Sequence, residues 1–335
     1  MIDIPKSNVK GALLALAAFA LFATHDVGVK ALGQTYSPFQ IIFFSVLFGF
    51  PLATIMLMRD QTRGTLQPVH PWWSGVRTAA ALLTGISAFY AFTVLPLAQV
   101  YAFIFAAPLL ITVMSIPILG EKVGIHRWAA VIIGLAGVLY VLRPGAEPLS
   151  LGHIAGLGAA VGSALASVIV RKIGKDERSA VLMLYPMMLN FLVMAMIMPF
   201  VYQPMPMADM GLVALVSVLA FAAALLLIAA YRRGDAAVVA PMQYSQILWA
   251  AVYGLAFFDE LPDTQTIIGA GIVILSGLYI VLRETVRGTS STAPVTRTKS
   301  RAATVASPRI SVLLRAQAKR VPPGHEALAK SKEDK

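Results

Sequence analysis

The residues best equipped for chemistry are polar groups set inside apolar runs. Thr24-His25-Asp26 interrupts GALLALAAFALFATHDVGVKALG, residues 11–33, with Lys30 one helical turn beyond Asp26. A carboxylate beside an imidazole supplies two groups that take up and release protons near neutral pH. That suits coupling to a proton gradient or contact with a polar ligand. The competing reading is an internal ion pair: Asp26 and Lys30 are spaced i,i+4 and meet on one helix face, leaving His25 as a packed polar residue. A second cluster runs Pro241-Met242-Gln243-Tyr244-Ser245-Gln246, followed by Trp249 and Tyr253. Gln246, Trp249 and Tyr253 are spaced by three and four, so they share a helix face. Amides give directional hydrogen bonds and rings give stacking surface, an arrangement suited to a planar ligand such as a flavin. The alternative is packing, with the amides bonded to neighbouring helices. Gln99 and Tyr101 form a third candidate pair, or else sit at a membrane interface.

These groups need elements to hold them, and composition says what kind. Of 335 residues, 58% are hydrophobic and 13% charged, with mean hydropathy +0.76. Water-soluble domains carry about 25% charged residues, so a bilayer is the solvent that fits. A span needs about 20 mostly apolar residues. Ten stretches qualify: about 11–32, 39–58, 74–95, 98–119, 125–143, 151–170, 180–200, 210–231, 236–258 and 265–283. Inside lipid each must satisfy its own backbone, which predicts helices; alternating ten-residue strands of a β-barrel are not seen. Lys6 and Lys10 before the first run resemble a signal peptide, but the run is long for one and reads as a retained span. From about residue 284 the chain turns to Ser, Thr, Pro, Lys and Arg, the composition of a disordered basic tail.

His25 and Asp26 fall about four residues outward of the first span's middle, roughly 6 Å at 1.5 Å per residue, and Trp249 falls within about 3 Å of the ninth span's middle. A carboxylate at such depth costs about 2.5–3.5 kcal/mol on insertion scales and normally faces the bundle or water.

Lys and Arg set the orientation. With both termini in the cytoplasm, the inner segments hold Lys6, Lys10, Arg59, Arg63, Arg77, Lys122, Arg127, Arg171, Lys172, Lys175, Arg178, Arg232, Arg233, Arg283 and Arg287, and the outer ones Lys30 and Arg143. Fifteen against two is a strong positive-inside signal. The net charge of +11 is thus read as membrane topology, with no nucleic-acid partner implied. Trp72, Trp73 and Trp128 fall at the predicted cytoplasmic interface, where such rings usually sit.

The chain also repeats. Residues 152–174 match 11–33 in length, and Gly11, Leu16, Ala18, Ala23, Val27, Val29 and Gly33 meet identical residues, with Lys30 facing Arg171. His25 and Asp26 face Ala166 and Ser167, so the polar cluster is in one copy only. A second echo joins Gly120-Glu121 to Asp259-Glu260, each followed by a span ending in GVLYVLR or GLYIVLR. Each half holds five helices; five is odd, so the halves are inverted, the arrangement that lets carriers alternate between two open shapes. The halves are placed at 1–145 and 146–283, with the tail at 284–335.

At this point the chain resembles the drug/metabolite transporter superfamily, specifically its EamA-like members, through the helix count, the paired repeats and the turn at Gly120-Glu121 with Asp259-Glu260 as its partner. The second copy departs by carrying Asp where the first has Gly. The resemblance covers about residues 11–283. It implies two five-helix repeats in a cell (inner) membrane, moving small metabolites such as amino acids, vitamins including riboflavin, nucleotide-like cofactors or toxic analogues. It implies a central cavity lined by the first, third, fourth, sixth, eighth and ninth helices. The resemblance carries over no residue-level substrate motif.

Other features fit or exclude alternatives. Pro108, Pro117 and Pro186 fall inside predicted spans and can bend helices. Gly152, Gly156, Gly158 and Gly162 give two GxxxG spacings for close helix contact within the chain. Glu121 and Glu260 read as caps or turn anchors, and Arg77 as a side chain snorkelling to the interface. With no GxxxxGK[ST] loop, ATP is not the evident energy source. With no cysteine and no HExxH pattern, no metal or other cofactor is implied. The expected partners are a small-molecule solute and the bilayer, and the sequence specifies no oligomeric state. A membrane-embedded enzyme is the rival class, but the longest loop, Arg59 to Trp73, has only about 15 residues; a passive channel is the other.

Overall fold

The computed structural model describes residues 8–58, 66–121, 123–143, 149–174, 176–234 and 236–286. Lys6, Arg59, Arg63, Lys122, Lys175, Arg287 and the tail from residue 287 lie outside them. Among the described residues the chain is helical, without strands. The helices are α1 (Asn8–Gly33), α2 (Pro38–Met58), α3 (Pro71–Val94), α4 (Leu97–Ile104), α5 (Ala107–Leu119), α6 (Ile125–Leu142), α7 (Leu151–Ile173), α8 (Ser179–Val201), α9 (Met207–Arg233), α10 (Ala236–Val239), α11 (Gln246–Phe258) and α12 (Thr264–Val286). A 3-10 helix, Ala240–Ser245, joins α10 to α11. Among the described residues, eight helical stretches are long and apolar enough to cross a bilayer, α4 and α5 counting together as Leu97–Leu119; Thr264–Ile280 is shorter.

Two of the stretches expected as single helices are broken. The fourth divides at Phe105-Ala106, and the ninth becomes α10, a 3-10 segment and α11. Pro108 enters the first turn of α5 and Pro241 the first turn of the 3-10 helix. Proline lacks the N–H and its ring collides with the carbonyl four residues back. For Pro108 that carbonyl belongs to Ile104, where α4 ends. Local bonds continue up to the break: the Phe105 N–H donates to the Tyr101 carbonyl at 2.9 Å and the Ala106 N–H to the Phe103 carbonyl at 3.0 Å. Two smaller boundaries also differ. Helix α3 begins at Pro71 and takes in Trp72 and Trp73, and α12 continues to Val286, past the expected start of the tail.

The bundle is built from paired helices: α1 lies along α9, α3 along α7 and α6 along α12, with α2 on α8 and α9, α8 on α3, α5 on α7, α11 on α1 and α4 on α11. Small residues set the close approaches. A Cβ added at Gly162 would lie 2.6 Å from Thr84 Oγ1 and 2.9 Å from the Ala80 carbonyl, so the glycines of α7 bring α3 near within the chain. The outward surface is apolar, with Leu13, Ile55, Ile132, Leu192, Phe200 and Leu275 exposed. A bilayer removes that cost.

Candidate functional site

The two broken spans meet near the middle of α1. Phe105, at the break after α4, stands edge-on to Tyr244 of the 3-10 helix with ring centroids 5.0 Å apart. Phe105 also stacks on Tyr101, whose other side meets the Phe92 ring.

Tyr101 is fully buried and donates its hydroxyl hydrogen bond to Asp26 Oδ2. The other carboxylate oxygen lies 2.8 Å from Nδ1 of His25. With Asp26 ionised, Nδ1–H of His25 is the donor. His25 is itself buried, its ring edge-on to Phe89. One carboxylate therefore ties α1 to α4 and sits at the centre of a hydrogen-bonded chain of three side chains. The preceding residue reaches the other broken span: Thr24 Oγ1 donates to the Ala20 carbonyl at 2.9 Å and lies 3.1 Å from the Tyr253 hydroxyl.

The rest of the aromatic face follows from Tyr253. Trp249 stacks on it, with ring centroids 5.9 Å apart and an interplanar angle of 28°. Gln246, at the start of α11, is buried, and its Nε2 finds no partner among the described residues. An unsatisfied buried amide is costly, and a polar ligand would satisfy it. Gln243 lies half-buried in the 3-10 helix.

Gln99 stands apart from this centre. Its Nε2 lies 3.1 Å from Nε2 of His153 at the start of α7. It lines a cavity of about 230 Å³ with Pro96, Arg143, Asp263 and Thr266, and Arg143 and Asp263 pair across that cavity. His25, Asp26 and Tyr101 thus form one hydrogen-bonded group, Trp249 and Tyr253 adjoin it through Thr24, Gln243 and Gln246 occupy the break in the ninth stretch, and Gln99 faces a separate cavity.

Lys30 does not stay with its own helix. Its ammonium donates to the Leu95 carbonyl at 2.7 Å and pairs with Glu260 Oε1 at 2.7 Å. At the far end of α5, Arg171 pairs with Glu121 through two N–H groups. Glu121 and Glu260 read in the sequence as caps or turn anchors; their N–H groups do close the turns, onto the Ser115 and Gly254 carbonyls, and their carboxylates also pair with cations of the other half of the chain. The residues before them do the turning. Gly120 ends α5 with φ 69° and Asp259 ends α11 with φ 55°, the left-handed region that Gly adopts freely and Asp tolerates better than most. Asp in place of Gly therefore preserves the turn. Arg77 differs too: its Nε and Nη1 are buried without partners among the described residues.

Tyr244, His153, Glu121 and Glu260 were absent from the candidate set. The two glutamates carried a usable signal, since Lys30 faces Arg171 in one echo and Glu121 faces Glu260 in the other. Tyr244 stands in the 241–246 run but meets Phe105 only in the fold, and His153 closes a local capping box with Ser150 while its Nε2 reaches Gln99 across the fold. Among the described residues, no three His, Cys, Asp or Glu side chains are grouped to hold a metal.

Comparison with known proteins agrees with this architecture. The chain is 24% identical over 288 residues to an S-adenosylmethionine uptake transporter of Rickettsia prowazekii, covering 85% of this chain and 96% of that protein. It is 27% identical over 291 residues to the pseudopaline exporter CntI of Pseudomonas aeruginosa, covering 86% and 100%. It is 26% identical over 304 residues to a riboflavin transporter of Vibrio cholerae, covering 84% and 96%. One solved crystal structure superposes with a TM-score of 0.55 at 17% identity, over 82% of this chain and 99% of its own, a likeness of fold alone. The EamA-like transporter family matches twice, over residues 9–143 and 150–283, and the chain belongs to that family.

Proposed function

We propose that the chain is a secondary transporter of a small, polar, ring-bearing or zwitterionic metabolite, with ten spans in two inverted five-helix halves and both termini in the cytoplasm of an inner membrane. The observation that carries the reading is Asp26: a buried carboxylate in mid-span, bonded to His25 and to Tyr101 of a broken span. Ionisable groups at that depth mark solute or proton paths, and broken helices are where carriers place their sites.

Helix pairing supports the inverted halves. Exchanging each of the first five stretches for its counterpart turns the α1–α9 pair into α7–α3, α2–α9 into α8–α3 and α5–α7 into α11–α1. The pairs α6–α12 and α2–α8 map onto themselves. In this reading Asp26 and His25 bind the solute's cationic group or the coupling proton, Tyr101 positions the carboxylate, and Trp249 and Tyr253 offer stacking surface. Gln243 and Gln246 supply amide contacts, and Gln99 is a contact on the entry path. The relatives' names, one uptake transporter and one exporter among them, support a small-molecule cargo and leave direction open.

The test is reconstitution in proteoliposomes with labelled S-adenosylmethionine, riboflavin and amino acids, with and without an uncoupler. Saturable counterflow of one of these supports a carrier. Linear, non-saturating flux marks a channel, and product formation without flux marks an enzyme; either outcome overturns the proposal.

A further inference from the structure

Each of the two ion pairs joins a basic side chain to a glutamate, and they lie at opposite locations. Lys30 is held at the start of the α4–α5 stretch, against the Leu95 carbonyl, whereas Arg171 is held just past its end, against Glu121. That stretch is 23 residues long, so about 34 Å of helix separates them. Each joins a cation of one half to a glutamate of the other, and each glutamate follows a left-handed residue closing the second piece of a broken span. Both are closed in this structure. A chain clamped at both ends has no open path; a carrier must release one end at a time.

We propose that Lys30–Glu260 and Arg171–Glu121 are the alternating latches of the transport cycle, the first closing one mouth and the second the other. The inference rests on the transporter reading. The two latches are unequal. Arg171–Glu121 is buried on both sides and uses two N–H groups. Lys30–Glu260 uses one, its glutamate is partly exposed, and Oε2 of Glu260 has no partner among the described residues. Paired N–H donors on a carboxylate hold more firmly than one, and exposure weakens an ion pair. The Lys30 end is therefore the one that opens more readily.

The chain has no cysteine, so one introduced thiol is a clean reporter. Ala23 and Ala164 are buried counterparts, one turn inward of Asp26 and Ser167 on the faces that bear Lys30 and Arg171. Ala23→Cys and Ala164→Cys are made separately in the full chain, and a membrane-impermeant maleimide is applied to right-side-out and inside-out vesicles. Glu260→Gln is expected to raise modification of the thiol at position 23 from the Lys30 face by roughly tenfold, the scale of a lost charge-assisted hydrogen bond. It is expected to lower modification of the thiol at position 164 from the Arg171 face. Glu121→Gln is expected to do the reverse. The charge exchanges Lys30→Glu with Glu260→Lys, and Arg171→Glu with Glu121→Arg, should return both rates toward the parent. Both rates rising together, neither moving, or no recovery on exchange would overturn the proposal, as would failure of both exchanged forms to fold. Reciprocal labelling without solute flux would keep the latches and remove the transporter reading; flux without reciprocity would remove the latches alone.

Discussion

Helices α1 and α7 begin and end alike and differ in the middle. Gly11 opens one against the backbone of Gly234, and Gly152 opens the other against Val94 and Leu95. Lys30 and Arg171 close them, each reaching a glutamate of the opposite half. Between these ends α1 carries His25 and Asp26 where α7 carries Ala166 and Ser167. The glycine ends that recur are scaffold, because each must dock on a similar neighbour, and the cations that recur make matched ion pairs between the halves. A buried acid present in one copy is not required by that docking. The asymmetry therefore separates what the two copies share from the one buried acid that α1 alone carries.

The sharpest test removes the asymmetric group. Asp26→Asn keeps the shape but takes away the charge that His25 and Tyr101 address. Hydrogen bonds to charged groups contribute about 1.5–3 kcal/mol, so transport is expected to fall by about 10- to 100-fold with unchanged yield in the membrane. Ser167→Ala, at the matching position of α7, removes a buried but uncharged group and is expected to lower flux by less than about tenfold, the scale of one neutral hydrogen bond. Equal losses in the two variants would erase the distinction between the copies.

The scaffold ends offer the next contrast. A Cβ at position 11 would meet the Cα of Gly234 at 2.5 Å, and backbone cannot step aside. At position 152 the nearest atoms, 2.6–3.1 Å away, belong to the Val94 and Leu95 side chains, which can rotate. Gly11→Ala is expected to cost about 1–3 kcal/mol, the range for overpacking, and Gly152→Ala less. Thermal midpoints in detergent check the order, and a larger drop for Gly152→Ala would reverse it.

A smaller effect belongs to the aromatic face. Trp249→Ala removes the ring stacked on Tyr253 and with it the face it offers a solute, where one aromatic contact contributes about 0.5–1.5 kcal/mol. Half-saturation should rise by about two- to tenfold with maximal flux retained. A fall in maximal flux alone would mark Trp249 as part of the moving parts instead of the solute contact.

Much of this layout was legible in the apolar runs, because a bilayer forces each run to be a helix of fixed length. The breaks were not. Pro51, Pro117, Pro186 and Pro199 lie inside unbroken helices, so a proline by itself does not announce a break. Asp26 stood out because an acid in an apolar run is costly. Its bond to Tyr101, 75 residues away, is tertiary and left no periodic trace. Lys30 misled for the same reason: local spacing offered Asp26, whereas the fold delivered Glu260.

The turns just past α1 and α7 extend the comparison and give the smallest expected effect. Tyr36 and Glu177 hold matching places, their N–H groups donating to Leu32 and Ile173 at 2.8 and 3.0 Å. Glu177 accepts from the His70 N–H at 2.6 Å and from Ser74, at the start of α3. Tyr36 instead donates its hydroxyl to Asp209, in the first turn of α9, at 2.5 Å. That bond, with burial and the nearby negative charge adding to it, raises the Tyr36 pKa above its ordinary value of 10.0. A raised folded pKa means the bond's stabilisation is fully present below the unfolded pKa and is lost as pH climbs through the folded one. Tyr36→Phe should therefore melt slightly lower than the parent at neutral pH, and the gap should close as pH rises beyond the ordinary tyrosine range. Other alkaline titrations are common to both proteins and cancel in the difference. A gap that persists unchanged up to strongly alkaline pH would mean that the hydroxyl contributes through packing, and that the two turns are held to their neighbours in the same way after all.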